Sequence, residues 1–240
     1  EIDNEEIQKY WDKMKKIGNP FELIYTSYNK KRKNDSISLY SPISRSYFKL
    51  WEIFYNFDLF NNKNKNINFV HLAEGPGGFM EASINYSNLR NFTNCSYWGI
   101  TLKPNDEYVP DWNKLKKIFK KENNCNIEYG DLYVYNDVTN FIKKTDKCHI
   151  VTADGGFDYS SDFNGQELNS SKIIYSEIAV ALNVLNKEGN FIIKFFDLFS
   201  LNSIQFLALL NQSFEKVYVF KPETSRPANS EKYIVCINFL

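Results

Sequence analysis

No two of the four cysteines in this 240-residue chain share the short spacing of a zinc or iron–sulfur site; they stand singly at 95, 125, 148 and 236. Three of them fall in apolar, strand-like runs, so they read as reduced core residues of a cytosol-like compartment and not as a disulfide framework. No apolar run approaches the ~18 residues of a membrane-spanning helix, and no secretory signal opens the chain. Net charge is absent too. Lys plus Arg and Asp plus Glu each number 29, which excludes a purely electrostatic binder of polyanions but leaves room for a local basic groove. No internal repeat is visible. Asparagine is over-used together with lysine, isoleucine, tyrosine and phenylalanine, but it is dispersed, which fits an AT-rich coding bias and not a prion-like tract. The first residue is glutamate, and the chain is expected to be a piece of something longer.

What the chain does have is enough length for a substantial core and, from residue 46 onward, a regular alternation of helix and short apolar strand. Residues 1–45 are expected to form an extension. Ile7, Tyr10, Trp11 and Met14 have helical spacing over 5–16, and a polar loop follows with the basic run Lys30, Lys31, Arg32 and Lys33. Residues 46–240 are expected to form one α/β domain. Helices are predicted over 46–60, 77–88, 111–121, 138–144, 167–185 and 201–213. Strands are predicted over 67–73, 96–101, 126–129, 149–153, 190–195, 216–220 and 232–238. Such alternation implies a mostly parallel sheet with helices on both faces, and ligands beyond the carboxyl ends of the strands. The two consecutive strands at the end predict a final antiparallel hairpin.

Charged residues sit where that sheet would bind. The apolar run from Gly189 ends on Lys194, the run from His149 ends on Asp154, and Glu231 stands at the mouth of the last strand. A buried ammonium costs several kcal/mol unless it is paired. A lysine flanked by two carboxylates at neighbouring strand ends therefore suggests acid–base chemistry. Taken one at a time, each is equally well explained as a strand-end lysine, a turn-capping aspartate or a surface glutamate.

The first strand runs into Glu74-Gly75-Pro76-Gly77-Gly78-Phe79 and then a helix. Glycines there let the backbone approach a ligand and present amides at a helix start. A dinucleotide fingerprint would need a third glycine where Met80 stands, which argues against a nicotinamide oxidoreductase. The acidic residue suits a ligand with a cationic or zwitterionic end, such as an amino-acid moiety. After the second strand, Thr101 and Leu102 lie where a ribose would sit; after the third, Asp131 could accept from an exocyclic amine.

Together these segments resemble the FtsJ-like ribose 2′-O-methyltransferases, and specifically the mRNA cap-1 type of eukaryotes and large DNA viruses, over about residues 43–238. Ser44-Arg45-Ser46-Tyr47-Phe48-Lys49 is similar to the family's opening helix, and Glu74 to Phe79 to its S-adenosylmethionine loop. Asp154 in Ala-Asp-Gly-Gly, Lys194 in Ile-Ile-Lys and Glu231 in Arg-Pro-Ala-Asn-Ser-Glu match the rest of a Lys-Asp-Lys-Glu tetrad that Lys49 opens. The resemblance implies a class I methyltransferase sheet, S-adenosylmethionine as methyl donor with Asp154 also at its site, and no metal. It implies the 5′ end of capped mRNA as substrate and other capping enzymes as partners. Lys194, its pKa lowered by burial or set by the network, is expected to take the 2′-hydroxyl proton, oriented by Asp154 and Glu231, with Lys49 closing the set. Lys30 to Lys33, Arg45, Lys221, Ser225 and Arg226 are the expected RNA contacts, with Tyr25, Tyr28 and Tyr40 beside the basic loop. The expected setting is the cytoplasm, including a viral factory or virion of a large DNA virus, before the nucleus. Ribosomal or transfer RNA as substrate, and a non-catalytic RNA-binding subunit, remain open readings.

Overall fold

The computed structural model describes residues 38–60, 65–103, 112–118, 124–156 and 165–240, with isolated positions before residue 38. Most of the expected N-terminal helix, Tyr25, Tyr28 and the basic run Lys30, Lys31, Arg32 and Lys33 lie outside the described residues.

Helix α1 (Ser46–Phe57) buries Tyr47, Leu50, Ile53 and Phe54, which are spaced to share one face. It stops earlier than the apolar pattern predicts because Asp58 turns left-handed at φ 45°, a conformation aspartate tolerates. Strand β1 (Asn68–Leu72) follows, then α2 (Gly78–Leu89), β2 (Ser96–Thr101), α3 (Asn113–Ile118) and β3 (Cys125–Tyr129). The second half continues with α4 (Tyr135–Lys144), β4 (Cys148–Ala153), α5 (Gln166–Val184), β5 (Leu185–Phe195), α6 (Leu201–Ser213), β6 (Phe214–Phe220) and β7 (Lys232–Phe239).

The seven strands form one sheet in the order β3-β2-β1-β4-β5-β7-β6. The pairings between β3 and β5 are parallel, whereas β7 runs antiparallel to both β5 and β6. The expected terminal hairpin is thus present as an antiparallel pair, but its second strand is the inner one: β7 slots between β5 and β6. That inversion brings the start of β7 to the carboxyl end of β5, with Lys232 opposite Phe195. Strand β5 also starts earlier than expected. Leu185 pairs with Cys148, then Asn190 pairs with Ile150, so 186–189 bulge out around Glu188, whose φ is 64°.

Both faces are covered. Tyr47, Leu50, Phe54, Phe79, Met80, Trp112 and Leu115, from α1 to α3 and their approaches, pack on one side with Phe69 and Ile192. Phe141, Ile174, Ile178, Ala181 and Leu210, from α4 to α6, pack on the other with Val70, Val151 and Phe191. Each large side chain so buried contributes about 1.5–3 kcal/mol. The sheet is thus packed on both faces, and the charged residues stand along its carboxyl edge.

Candidate active site

The turn after β1 is built by its glycines. Gly77 has φ +105° and donates its amide to the Glu74 carbonyl at 2.8 Å. A β-carbon on Gly78 would overlap both the Ser44 and Ser46 hydroxyls and lie 3.2 Å from the Tyr47 nitrogen. The start of α2 therefore presses directly against the start of α1. Gly78→Ala is expected to destabilise the protein by about 1–3 kcal/mol through overpacking. Thermal unfolding checks this, and removing both hydroxyls in the same chain should recover part of the loss.

Glu74 does not present its carboxyl to a ligand. It is buried, accepts the Met80 amide at 2.9 Å, and lies 3.2 Å from His71 Nδ1. Burial, reinforced by the charge of Asp154, raises its pKa well above the ordinary value, while burial lowers that of His71 to about 3. Burial thus works against charge on both partners. His71 Nδ1 also reaches Thr152 Oγ1 at 2.8 Å, across the register pair of β1 and β4. Phe79 is fully buried too, its ring 5.9 Å from that of Tyr233. In this turn the side chains of Glu74 and Phe79 brace the loop, Gly77 and Gly78 are buried, and Gly75 and Pro76 are half-buried.

Beyond β2, Thr101 is buried and takes the Gly130 amide on its carbonyl at 2.9 Å, while Leu102 is exposed. Beyond β3, Asp131 accepts the Tyr133 amide at 2.8 Å, and its own amide is held by Asp137 at 2.9 Å. The carboxyl edge thus has one exposed apolar side chain beside one loop-held carboxylate.

The four charged residues separated in sequence meet on this edge. Lys194 Nζ lies 3.2 Å from Asp154 Oδ1 and donates to the Asp154 main-chain oxygen at 2.9 Å. Lys49 Nζ lies 2.7 and 2.9 Å from the two oxygens of Glu231. The ammonium groups of Lys49 and Lys194 both act on Glu231: burial raises its pKa, but the two cations outweigh this and bring it down to about 2. For Lys194 the balance has the opposite sign. Burial pulls its pKa down, yet the carboxylates of Asp154, Glu231 and Glu177 more than offset this, and the pKa is raised. Of the two expectations for Lys194, a pKa lowered by burial and one set by the network, the second describes it: desolvation is real, but three acids surround the amine.

Helix α1 and the 221–231 loop form the outer wall. Arg45, Lys49 and Glu52 share one face of α1, at spacings of four and three. Arg45 donates to the Thr224 carbonyl at 2.9 and 3.2 Å. Glu52 accepts the Glu223 and Thr224 amides at 2.8 and 3.1 Å and the Thr224 hydroxyl at 2.9 Å. Ser225 is buried and gives its hydroxyl to Glu231 at 2.7 Å, and Lys221 donates to the Glu231 and Asn229 carbonyls at 2.6 and 2.8 Å. Expected to face RNA, Ser225 and Lys221 instead brace the loop, because the Glu231 carboxylate and the turn carbonyls need donors. Arg226 is exposed on that loop, and Tyr40 is exposed with its ring 6.3 Å from that of Trp51.

Two further residues belong to the site and were missed in the sequence. The fully buried Tyr233 donates its hydroxyl to Asp154 Oδ1 at 2.9 Å. The fully buried Glu177, on α5, accepts the Gly155 amide at 3.0 Å. The signal for Glu177 was there: it interrupts the buried face made by Ile173, Ile174, Ile178 and Ala181. A charge on the core side of an amphipathic helix calls for a partner.

A sheet ordered in this way, with one inverted strand and a glycine turn after the central one, is that of the class I methyltransferases. A solved structure described as a ribosomal RNA methyltransferase from Plasmodium falciparum is similar in fold, with a TM-score of 0.61 at 20% identity, covering 82% of this chain and 98% of that one. Human methyltransferase-like protein 13 in complex with SAH is also similar, with a TM-score of 0.53 at 12% identity over 81% of this chain and 82% of that one. The chain belongs to the FtsJ-like methyltransferase family, whose model matches residues 42–239. It is 32% identical over 209 residues to the cap-specific mRNA (nucleoside-2′-O-)-methyltransferase 2 of Pongo abelii, covering 82% of this chain and 27% of that protein. It is 36% identical over 188 residues to the cap-specific mRNA (nucleoside-2′-O-)-methyltransferase 1 of Mus musculus, covering 72% of this chain and 22% of that protein. The chain thus spans about a quarter of the length of these curated relatives.

Proposed function

We propose that this chain transfers a methyl group from S-adenosylmethionine to a ribose 2′-hydroxyl of RNA, at the first transcribed nucleotide of capped mRNA. The observation that carries the reading is the meeting of Lys49, Asp154, Lys194 and Glu231 beside the glycine turn. The family and the cap-specific relatives support it. The residues present fit the donor. The half-buried Gly75 and Pro76 offer backbone at the mouth of β1, Leu102 offers an apolar wall, and Asp131 and Asp154 offer carboxylates to amines and hydroxyls. S-adenosylmethionine supplies an electrophilic methyl on a cationic sulfonium.

Everything else falls to the protein. A ribose hydroxyl holds its proton far above neutrality, so an aligned base and in-line placement must do the work. Lys194 Nζ is fixed by two bonds to Asp154, one to the carboxylate and one to the carbonyl. Held as an ammonium by its acids, it must shed a proton before it can take one from a 2′-hydroxyl, so turnover should rise with pH across the neutral to alkaline range. Lys49 keeps Glu231 ionised and aimed at the same space. Arg45 and Arg226 on the outer wall, with the basic run 30–33, carry phosphates in this reading. The four cysteines are free, which suits a reducing cytoplasm. The test is a methyl-transfer assay on 7-methylguanosine-capped, unmethylated-cap and uncapped oligonucleotides of one sequence. Preference for the first supports the cap reading; equal use of all three moves the activity to another RNA; cofactor binding with no transfer favours a non-catalytic subunit.

A further inference from the structure

The peptide between Asp154 and Gly155 is gripped at both ends by charged side chains. Its carbonyl takes the Lys194 ammonium at 2.9 Å, and its N–H goes to Glu177 Oε1 at 3.0 Å. The two glycines of Ala-Asp-Gly-Gly are what allow this. A β-carbon on Gly155 would overlap the Glu177 carboxylate, and one on Gly156 would lie 2.9 Å from Lys194 Nζ. Glu177 is fully buried, and its second oxygen has no hydrogen-bond partner among the described residues. An acid held in the core with half its hydrogen-bonding capacity unused is costly to keep, which is why it needs an account.

We propose that Glu177 is a positioning residue for methyl transfer: by holding the N–H of the Asp154–Gly155 peptide, it fixes the carbonyl that anchors Lys194, and it shares in setting the charge of that lysine. Resting on the base role proposed for Lys194, the inference extends the site to the helix beneath the sheet. The groups facing Glu177 are Asp154 at the end of β4 and Lys194 on β5; Lys194 in turn faces Glu231 just before β7 and is the register partner of Tyr233 within it, with Lys49 beyond Glu231. Burial raises the Glu177 pKa to about 8, the opposing pull of Lys194 and the Gly155 amide being smaller. The acid therefore becomes fully ionised only on the alkaline side, where it holds the proton on Lys194. Removing its charge while keeping its shape should release that proton at lower pH.

The experiment compares the whole chain with Glu177→Gln and with Gly155→Ala. NMR of isotopically labelled lysine follows the Lys194 ε-group against pH, and the pH profile of transfer to capped RNA is measured alongside. For Glu177→Gln, the Lys194 titration and the alkaline rise in kcat are both expected to move down by about one pH unit, with S-adenosylmethionine affinity unchanged. For Gly155→Ala, where the added methyl displaces the carboxylate, kcat is expected to fall at least tenfold with the cofactor affinity kept. A Lys194 titration that coincides in wild type and Glu177→Gln overturns the proposal, as does unchanged kcat in Gly155→Ala. The NMR titration needs no turnover, so an inactive wild type would sink the proposed function without touching the link between Glu177 and Lys194.

Discussion

Lys194→Met is expected to lower kcat for methyl transfer by about 10³-fold, within the range that a positioned base supplies, while the dissociation constant for S-adenosylmethionine changes less than about threefold. Methionine keeps most of the buried stem and removes only the amine, so the site loses its base without losing its packing. The cost to stability is separate. Asp154 Oδ1 keeps the Tyr233 hydroxyl, and Glu177 keeps the Gly155 amide, so neither acid is left bare. Lys194→Arg separates the two roles an amine could have. An arginine holds its positive charge at every workable pH and cannot act as a base. If Lys194 served only as a fixed cation, arginine would retain much of the rate. The base role requires arginine to be nearly as poor as methionine. Single-turnover transfer at saturating cofactor, with affinity by calorimetry, makes the comparison, and more than a tenth of wild-type rate in either variant would sink the base assignment.

Much of the sheet was legible because its strands are short apolar runs bounded by polar turns, and its helices carry three-to-four spacing. The departures have local causes. The early start of β5 was hidden because Asn186, Lys187 and Glu188 look like a loop, and they do bulge from the ladder. The place of β7 between β5 and β6 could not be read from consecutive strands, since hairpin adjacency says nothing about which strand meets the rest of the sheet. The end of α1 depended on one left-handed residue, Asp58, inside a run that otherwise continues its apolar pattern.

The site was legible where residue type and strand end coincide, at Asp154, Lys194 and Glu231. Contacts through the backbone were not legible. Nothing in the sequence says that Lys194 bonds a main-chain carbonyl, or that Lys221 is taken up by the carbonyls of Asn229 and Glu231. Charge balance was equally hidden. Burial of a lysine predicts a lowered pKa, and the sign reverses because the acids Asp154, Glu231 and Glu177 surround it, the last of them on a helix beneath the sheet.

Glu231→Ala is expected to destabilise the fold by roughly 3–5 kcal/mol, the usual loss when one partner of a buried ion pair is removed, and to abolish transfer. The carboxylate binds Lys49 with both oxygens and takes the Ser225 hydroxyl, so its loss strands an ammonium that is only 14% exposed and removes the Ser225 tie between the 221–231 loop and the start of β7. Glu231→Gln keeps an acceptor for Ser225 and loses only the charge, so it should fall between wild type and alanine. The pH dependence then distinguishes charge from shape. Although burial opposes ionisation, Lys49 and Lys194 hold the Glu231 pKa at about 2, below its ordinary 4.5. A group with a depressed folded-state pKa stabilises fully above its unfolded value, and that contribution is lost as pH falls through the folded value. The stability gap between wild type and Glu231→Gln, taken from urea unfolding, should therefore be widest above about pH 5 and close between about pH 4.5 and pH 2. A gap that stays constant down to pH 2.5 would mean that Glu231 acts through its hydrogen bonds alone, and the pairing with Lys49 would then contribute no net charge stabilisation to this edge of the sheet.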